Sequence, residues 1–234
     1  MFKLAGGAAV YSTAQALDTV GRYAFDTVVL AAGKRFPDAF KPHKIPRYAY
    51  RTYDCVPASL GPGFSDLDLL VGAGLNARID VAAVARLRSF ADRAEGHLDT
   101  AYKRQPDFLE LTREEVGDEP PVGSAGWHLN EAWRQGIATP GLKVARVHKT
   151  LHHKRPRLVP LLDNETKGPI GEAARAAGCG SWQLIYDEIH AHAEHFEDLA
   201  NEFDKTATGV GDVSLSWLRL HDILVWMAVA RSDG

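Results

Sequence analysis

Apolar residues recur at three- and four-residue spacing along most of this chain, which is the period of amphipathic helices. The first predicted helix begins at a capping box formed by Ser12 and Gln15 and runs to Gly33. Further helices are predicted at 65–75, 80–94, 127–136, 172–177, 181–201 and 213–230. No stretch of strand-type alternation is large enough to predict a sheet, so we expect an all-α protein.

Two stretches interrupt the helical pattern. Residues 34–63 are rich in proline and contain the run RYAYRTYD at 47–54, and we expect an ordered arm there, since long loops are often functional. Tyr50 and Arg51 are candidates to line a base pocket, the alternative being tyrosines packed over the core. The second stretch, EPPVGSAG at 119–126, predicts a connection between two lobes of one domain, because about 110 residues on each side would form thin separate cores.

Length and composition favour one globular domain. The chain has 234 residues, 45% of them hydrophobic, and a formal net charge of −3, and no apolar run approaches the roughly 20 residues of a membrane span. The first residues lack the pattern of a signal peptide. Because Cys55 and Cys179 cannot form a disulfide framework, we expect free thiols and a cytoplasmic location. We also expect a monomer without membrane contact.

Positive charge is concentrated in one part of the sequence. Between Glu131 and Asp163 there is no acidic residue, and the basic residues of this interval are Arg134, Lys143, Arg146, Lys149, Lys154, Arg155 and Arg157. A block of one sign in a mildly acidic chain favours a polyanion held at one face. Double-stranded DNA is therefore the expected partner.

The same interval contains a turn, a helix and a well-placed carboxylate. Pro140-Gly141 predicts a tight turn, and the apolar residues after it have helical spacing. An apolar run at 158–162 then ends at Asp163, just before another helix. An isolated Asp at such a position is typical of an N-cap that accepts backbone N–H bonds.

The run PGLKVAR, the basic helix and PLLDNETKGPIG resemble the helix-hairpin-helix DNA glycosylase superfamily, which includes endonuclease III and the adenine and 8-oxoguanine glycosylases. The resemblance implies two helical lobes and hydrolysis of the N-glycosidic bond of a damaged or modified base flipped out of DNA. It assigns catalysis to Asp163. It also implies DNA binding by a set of turn and helix residues: Gly141, Lys143, Arg146, Lys149, His152, Lys154 and Arg155.

Other positions of the pattern carry further expectations. The segment LLVGAGLNARI resembles the first core helix of these enzymes, which places Asn76 and Arg78 near the flipped base, as pocket or wedge residues. Gly72 stands where adenine glycosylases keep a catalytic Glu, so an adenine-type mechanism is disfavoured. The attacking lysine of the lyase branch maps to Ala145, which implies a monofunctional enzyme. Lys143 replaces the second hairpin glycine and implies a distorted hairpin.

No cofactor or metal is expected. Two cysteines exclude a four-cysteine iron–sulfur cluster, and His148 and His152 lack the Glu of a zinc-protease HExxH motif. Two alternatives stay open: a non-enzymatic helical DNA-binding or regulatory protein that uses Asp163 only as a cap, and a metal-dependent nuclease that uses the histidines. The departures from the family pattern favour a specialised branch, for which removal of a modified base from invading phage DNA is one candidate role.

Overall fold

This computed structural model describes residues 1–30, 43–75, 77–209 and 213–230. Within these ranges the protein is an all-α bundle with two small antiparallel strand pairs, which confirms the predicted fold class. The helices are α1 (Thr13–Phe25), α2 (Asp66–Leu70), α3 (Val81–Arg104), α4 (Ala125–Ile137), α5 (Val144–Lys154), α6 (Lys167–Ala177), α7 (Ser181–Ala191), α8 (Ala193–Gly209) and α9 (Trp217–Val229). Shorter 3-10 or π turns lie at Ala5–Gly7, Tyr50–Asp54, Val71–Leu75 and Phe108–Glu110.

The strands form two hairpins. Strand β1 (Phe2–Leu4) pairs with β2 (Ala9–Tyr11), with Phe2 opposite Tyr11. Strand β3 (Thr27–Leu30) pairs with β4 (His43–Pro46), with Thr27 opposite Pro46. The second hairpin takes up part of the predicted arm at 34–63, and residues 34–42 of that arm lie outside the described ranges.

The first helix begins where its capping box predicts and ends earlier than its apolar stripe predicts. The Ser12 hydroxyl accepts a hydrogen bond from the Gln15 backbone N–H, and the Gln15 side chain accepts one from the Ser12 N–H. The helix ends at Phe25 because Asp26 has an extended backbone (φ −64°, ψ 140°) and the chain continues into β3. The prediction of one helix up to Gly33 was therefore wrong.

Other boundaries also differ from the sequence pattern, most of all the end of α3 and the break between α7 and α8. Helix α3 begins close to its predicted start, where the Asp80 carboxylate accepts from the Ala83 N–H at 2.7 Å, and it continues to Arg104, ten residues beyond the predicted end. The helix predicted at 181–201 is two helices, because His192 (φ −124°, ψ 25°) interrupts it between α7 and α8. Apolar residues continue on both sides of the break, so periodicity alone does not reveal it.

One contiguous apolar core includes residues on both sides of the connection at 119–126, for example Leu98, Leu129 and Leu184. Helix α5 lies in the interior, where α4 packs on it together with α2 and the 3-10 helix Val71–Leu75. Helix α1 packs against α8 and α9. The connection at 119–126 joins α3 to α4, which pack along each other, and the division into two lobes stays a prediction.

None of the helices in the described ranges combines the length and the apolar character that crossing a membrane requires.

Candidate active site

The tight turn that the sequence predicts at Pro140-Gly141 joins α4 to α5. The Leu142 N–H donates to the Thr139 carbonyl at 3.1 Å, and Gly141 has φ +75°, a left-handed conformation that favours glycine. Lys143 is the N-cap of α5 with φ −84° and ψ 148°, so its side chain causes no backbone strain. The guanidinium of Arg86 lies against Gly141, since a Cβ built there would be 3.1 Å from its Cζ.

The predicted DNA-binding residues divide into surface and interior groups. Gly141 and Lys143 are exposed and Arg146 is half-buried. Lys149, His152 and Lys154 are buried. The expectation that His152 and Lys154 contact DNA phosphates is therefore wrong, and the exposed positive charge of α5 is restricted to its N-terminal end.

Arg155, the last member of the predicted set, is half-buried at the C-terminal end of α5. Its guanidinium pairs with Asp99 at 3.1 Å and covers the Tyr102 ring. Both contacts engage the side chain within the protein, so the surface role predicted for Arg155 is not supported by its position.

Partners distant in sequence neutralise the buried end of α5. The Lys154 ammonium donates to the Ser59 carbonyl at 3.0 Å and lies 3.6 Å from the Asp68 carboxylate, with both charged side chains buried. Burial alone would raise the pKa of Asp68, but hydrogen bonds from Ser59 and Ser65 hold it at about 2. A positive block in the sequence is thus partly an internal ion pair in the structure.

Two buried histidines attach the segment before Asp163 to α5. His148 Nδ1 lies 3.0 Å from the Pro160 carbonyl, and its Nε2 accepts from the Trp133 indole at 2.9 Å. His152 Nδ1 lies 2.6 Å from the Val159 carbonyl. Burial lowers the pKa of His148 to about 4 and that of His152 to about 3, so both rings are neutral near pH 7 and donate from Nδ1.

Asp163 caps the turn that precedes α6. Its Oδ1 accepts from the Glu165 N–H at 2.9 Å and from the Thr166 N–H at 3.1 Å. Every hydrogen bond that its carboxylate makes to the described residues uses Oδ1. Because Asp163 is half-buried and lines a cavity, Oδ2 is available to a ligand.

This cavity has a volume of about 700 Å³ and is referred to below as the Asp163 cavity. Three aromatic residues line it: Tyr48 stacks on Tyr23 with centroids 5.8 Å apart, and meets the Trp226 ring edge-on, also at 5.8 Å. The lining also contains charged and amide side chains, namely Arg47, Lys149, Asp163, Asn164, Glu165, Arg219 and Asp222. It therefore presents stacking surfaces together with several groups able to bind or transfer a proton.

A buried ion cluster forms one wall of the Asp163 cavity. The Arg219 guanidinium donates to Asp54 Oδ1 at 2.6 Å and also to Asp222 Oδ2 and to the Tyr23 hydroxyl. Burial raises the pKa of Asp222 to about 7, although Arg219 opposes the shift. Burial likewise lowers the pKa of Lys149, with Asp163 partly offsetting it, and the Lys149 ammonium donates to the Leu75 carbonyl at 2.6 Å.

The predicted base-pocket residues have different positions. Tyr50 is fully buried, donates to the Val213 carbonyl at 2.7 Å and packs edge-on against Phe203, so its prediction as a base-contacting residue was wrong. Arg51 is exposed, with its guanidinium 5.9 Å from the Tyr50 ring centroid. Arg78 is exposed and follows the 3-10 helix that lines the cavity. Asn76 lies outside the described residues.

Sequence reasoning missed the contribution of the last helix. Arg219, Asp222 and Trp226 have i, i+3 and i+7 spacing, which places them on one face of α9 toward the cavity. Two charged residues on one face of an otherwise strongly apolar helix were the signal that could have identified this wall.

A second cavity, of about 760 Å³, shares Arg219 with the Asp163 cavity and is also lined by His152, Asp204 and Trp217. Asp163 does not line this second cavity, so the Asp163 cavity, which places that carboxylate beside three aromatic rings, is the candidate active site. Among the described residues, no group of three or more His, Cys, Asp or Glu side chains is placed to hold a metal ion.

A comparison with protein families matches residues 32–229 to a family described as "Family of unknown function (DUF6308)". Searches of the curated proteins and of the solved structures found no significant match.

Proposed function

We propose that this chain, which belongs to DUF6308, a family of unknown function, hydrolyses the N-glycosidic bond of one damaged or modified nucleotide flipped out of double-stranded DNA. The observation that carries this proposal is the position of Asp163. It lines the cavity together with three aromatic rings, and α5 connects it to the turn at Gly141.

The Asp163 cavity suits an extruded base in size and in lining. Its volume falls within the roughly 300–1,000 Å³ of small-molecule sites. Tyr48 and Trp226 place aromatic rings in the lining, and stacking of a base on such a ring is worth about 1–3 kcal/mol per base. That gain offsets part of the few kcal/mol that extrusion from the duplex costs.

Asp163 supplies the chemistry. As the bond to the base breaks, the sugar becomes cationic, and a carboxylate close to C1′ stabilises this charge. The same carboxylate orients a water molecule and accepts its proton. The hydrogen bonds from Glu165 and Thr166 to Oδ1 hold the side chain in place for these roles.

In this proposal the DNA backbone is held by the turn between α4 and α5 and by the residues around it. The backbone N–H groups of Gly141 and Lys143 lie just before α5, where a helix N-terminus favours phosphate. Exposed Arg86 of α3 lies against Gly141, exposed Lys143 follows Gly141 by two residues, and exposed Arg78 follows the cavity lining. Action as a monomer in the cytoplasm, where both cysteines stay reduced, belongs to the same proposal.

Mass spectrometry of free bases tests this function directly. Duplexes that each contain one damaged or phage-modified base are incubated with the wild type, with Asp163→Asn, and with Glu172→Gln, an exposed carboxylate on α6, as matched control. We expect the wild type and the control to release one base, and Asp163→Asn to release none while it keeps its fold and DNA affinity. If Asp163→Asn unfolds, and its folded fraction keeps wild-type specific activity, Asp163 is only a cap.

The hydrogen bonds of Asp163 also favour a second candidate, a non-enzymatic DNA-binding protein in which this carboxylate only caps the turn before α6. Under that function the wild type binds duplex DNA and releases no base from any member of the panel. The same incubation, combined with a binding measurement, separates the two candidates.

The enzyme is expected to be monofunctional. A glycosylase that also cuts the strand needs an amine that attacks the sugar, and Ala145, at the equivalent position, has none. Water is then the nucleophile, and we expect an intact abasic site and no covalent complex after borohydride treatment. Lys149 is the amine to examine, because burial lowers its pKa and it lines the cavity; a trapped adduct on Lys149 would reverse this assignment.

A further inference from the structure

One carboxyl oxygen of Asp222, a residue that lines the Asp163 cavity, lacks a hydrogen-bond partner among the described residues. Asp222 is 4% exposed, and its Oδ2 accepts a hydrogen bond from Arg219. Its Oδ1 is buried and has no hydrogen-bond partner among the described residues. Leaving a buried polar group unpaired costs about 1–3 kcal/mol, so an unpaired oxygen on a residue that lines a cavity points to an atom that a bound ligand satisfies.

The charged groups around Asp222 favour its protonated form. Arg219 on α9 lies between two carboxylates, Asp222 and Asp54, and cannot neutralise both. Asp163 adds a further negative charge from the segment before α6, and Lys149 on α5 a positive one. Tyr23 on α1 contributes a hydroxyl that already accepts from Arg219 and donates to Asp54 at 2.8 Å.

Only one of the two Asp222 carboxyl oxygens is free to carry the proton. Because Oδ2 is occupied as the acceptor of the Arg219 bond, the proton resides on Oδ1, the oxygen without a partner. Burial raises the pKa of Asp222 to about 7, so a large share of the protein molecules hold this proton at neutral pH. A neutral carboxyl group in this environment is a hydrogen-bond donor and a general acid.

We propose that Asp222 is a second catalytic residue, whose Oδ1–H binds the flipped base and protonates it as it leaves. This inference rests on the proposed glycosylase function and adds a substrate class to it. The base is one that is uncharged before cleavage and carries a ring nitrogen or carbonyl oxygen as the acceptor.

The reaction balances with the two carboxyl groups and one water molecule. The bond between C1′ and the base nitrogen breaks, and its electron pair goes to the base. The proton of Asp222 Oδ1 goes to the acceptor atom of the base, which departs neutral. The water oxygen forms a bond to C1′ and its proton goes to the Asp163 carboxylate, after which solvent returns both residues to their starting protonation states.

The test measures single-turnover release of an uncharged base from pH 5.5 to 8.5, on the panel duplex that the wild type cleaves. We expect the wild-type rate to fall as the pH rises through about 7, because Asp222 loses its proton. Asp222→Asn is expected to lower the rate at pH 6 about 100-fold or more and to remove this alkaline decline. Anisotropy binding to a duplex with a tetrahydrofuran abasic analogue should remain within about twofold of the wild type, since general-acid loss affects the chemical step.

A second variant and a measurement on the wild type cover a folding defect. Asp222→Glu keeps the acid and is expected to retain an alkaline decline with a changed midpoint. Carbon-13 NMR of labelled Asp carboxyl groups in the wild-type protein should show one group that titrates near pH 7. The absence of such a group overturns the proposal whatever the variants do.

The outcomes separate this inference from the function on which it rests. If Asp222→Asn keeps the wild-type rate and alkaline decline, Asp222 is not the acid, although Asp163 still catalyses hydrolysis. If the wild type releases only a cationic base such as N7-methylguanine, which leaves without added protonation, the substrate class is wrong. If no duplex yields a free base, the glycosylase function fails and this inference fails with it.

Discussion

Lys154 shows how a basic residue near the end of a helix becomes part of the core. Its side chain is buried with Asp68, and the Ser59 hydroxyl bridges the two, since it accepts from Lys154 and donates to Asp68. Arg157, three residues later, makes a 2.6 Å pair with Asp107 with most of its own side chain exposed. The two pairs lie close together in sequence but differ in solvation, which decides how much each affects stability.

Lys154→Met is therefore expected to lower the free energy of unfolding by about 3–5 kcal/mol, because it leaves the Asp68 carboxylate buried without its cation. The matched control Arg157→Met removes a cation whose side chain is 73% exposed, and its effect should stay within about 1 kcal/mol. Urea denaturation followed by circular dichroism measures both. Equal effects in the two variants would contradict the burial of Lys154.

Gly141 is a second single residue with a conformational requirement. We expect Gly141→Ala to destabilise the fold by about 1–2 kcal/mol, because φ is +75° and the new Cβ would meet the Arg86 guanidinium at 3.1 Å. The control is Gly96→Ala in α3, where the new Cβ would meet no atom outside the neighbouring backbone of its own helix within 4 Å. Alanine there should stabilise the helix by about 0.5–1 kcal/mol. Thermal unfolding compares them, and a stabilising Gly141→Ala would exclude this turn geometry.

At the scale of elements, α5 is a support for the segment that carries Asp163. The neutral His148 and His152 rings bond the Pro160 and Val159 carbonyls, so consecutive carbonyls of one segment are held by residues one helical turn apart. Neither bond requires a charged histidine. Protonation of either ring in place is opposed by burial.

This arrangement predicts a loss of stability in acid. The folded-state pKa values, about 4 for His148 and about 3 for His152, lie below the ordinary value of 6.5. The unfolded chain therefore binds more protons, and the free energy of unfolding falls as the pH decreases from about 6.5 toward 4. Urea titrations at several pH values measure the slope, which should become shallower in His148→Asn/His152→Asn. A slope identical to that of the wild type would contradict neutral buried rings.

At the scale of the whole molecule, the proposed DNA contact is the positive charge around the turn between α4 and α5, in a protein of formal net charge −3. Lys143 is the N-cap of α5 and Arg86 belongs to α3, and folding brings Arg86 against Gly141 in the turn that precedes Lys143. A chain with little net positive charge depends on such local concentrations to bind a polyanion. Its affinity for duplex DNA should fall with salt by about 0.9 log units per log unit of salt for each phosphate neutralised.

Charge reversal tests this surface. Arg86→Glu/Lys143→Glu is expected to weaken binding to all duplex sequences and to reduce the salt slope by roughly two units. The control is Lys103→Glu, an exposed residue about 25 Å along α3 from Arg86, which should change neither quantity much. Fluorescence anisotropy at several salt concentrations measures both, and equal losses in the two proteins would place the DNA surface elsewhere.

Local sequence alone determined the fold class, several helix starts and the turn at Gly141. Ser12 and Asp80 cap helices through bonds to residues three positions away, so a short stretch contains all the information needed. Asp163 was likewise predictable as the residue between an apolar run and a helix, and its N–H acceptor role is local. The ends of α1 and α7 were not predictable from the apolar period, which continues past both.

Only the tertiary structure decided which charges face solvent and which residues surround Asp163. Lys154 pairs with Asp68, and Arg219 pairs with Asp54, across long sequence separations. The distribution of charged residues along the sequence does not identify these partners. Tyr48 and Asp222 likewise reach one cavity from distant segments. The physical reason is that burial and pairing are sums over neighbours in space, whereas the helical period and the caps depend on neighbours in sequence.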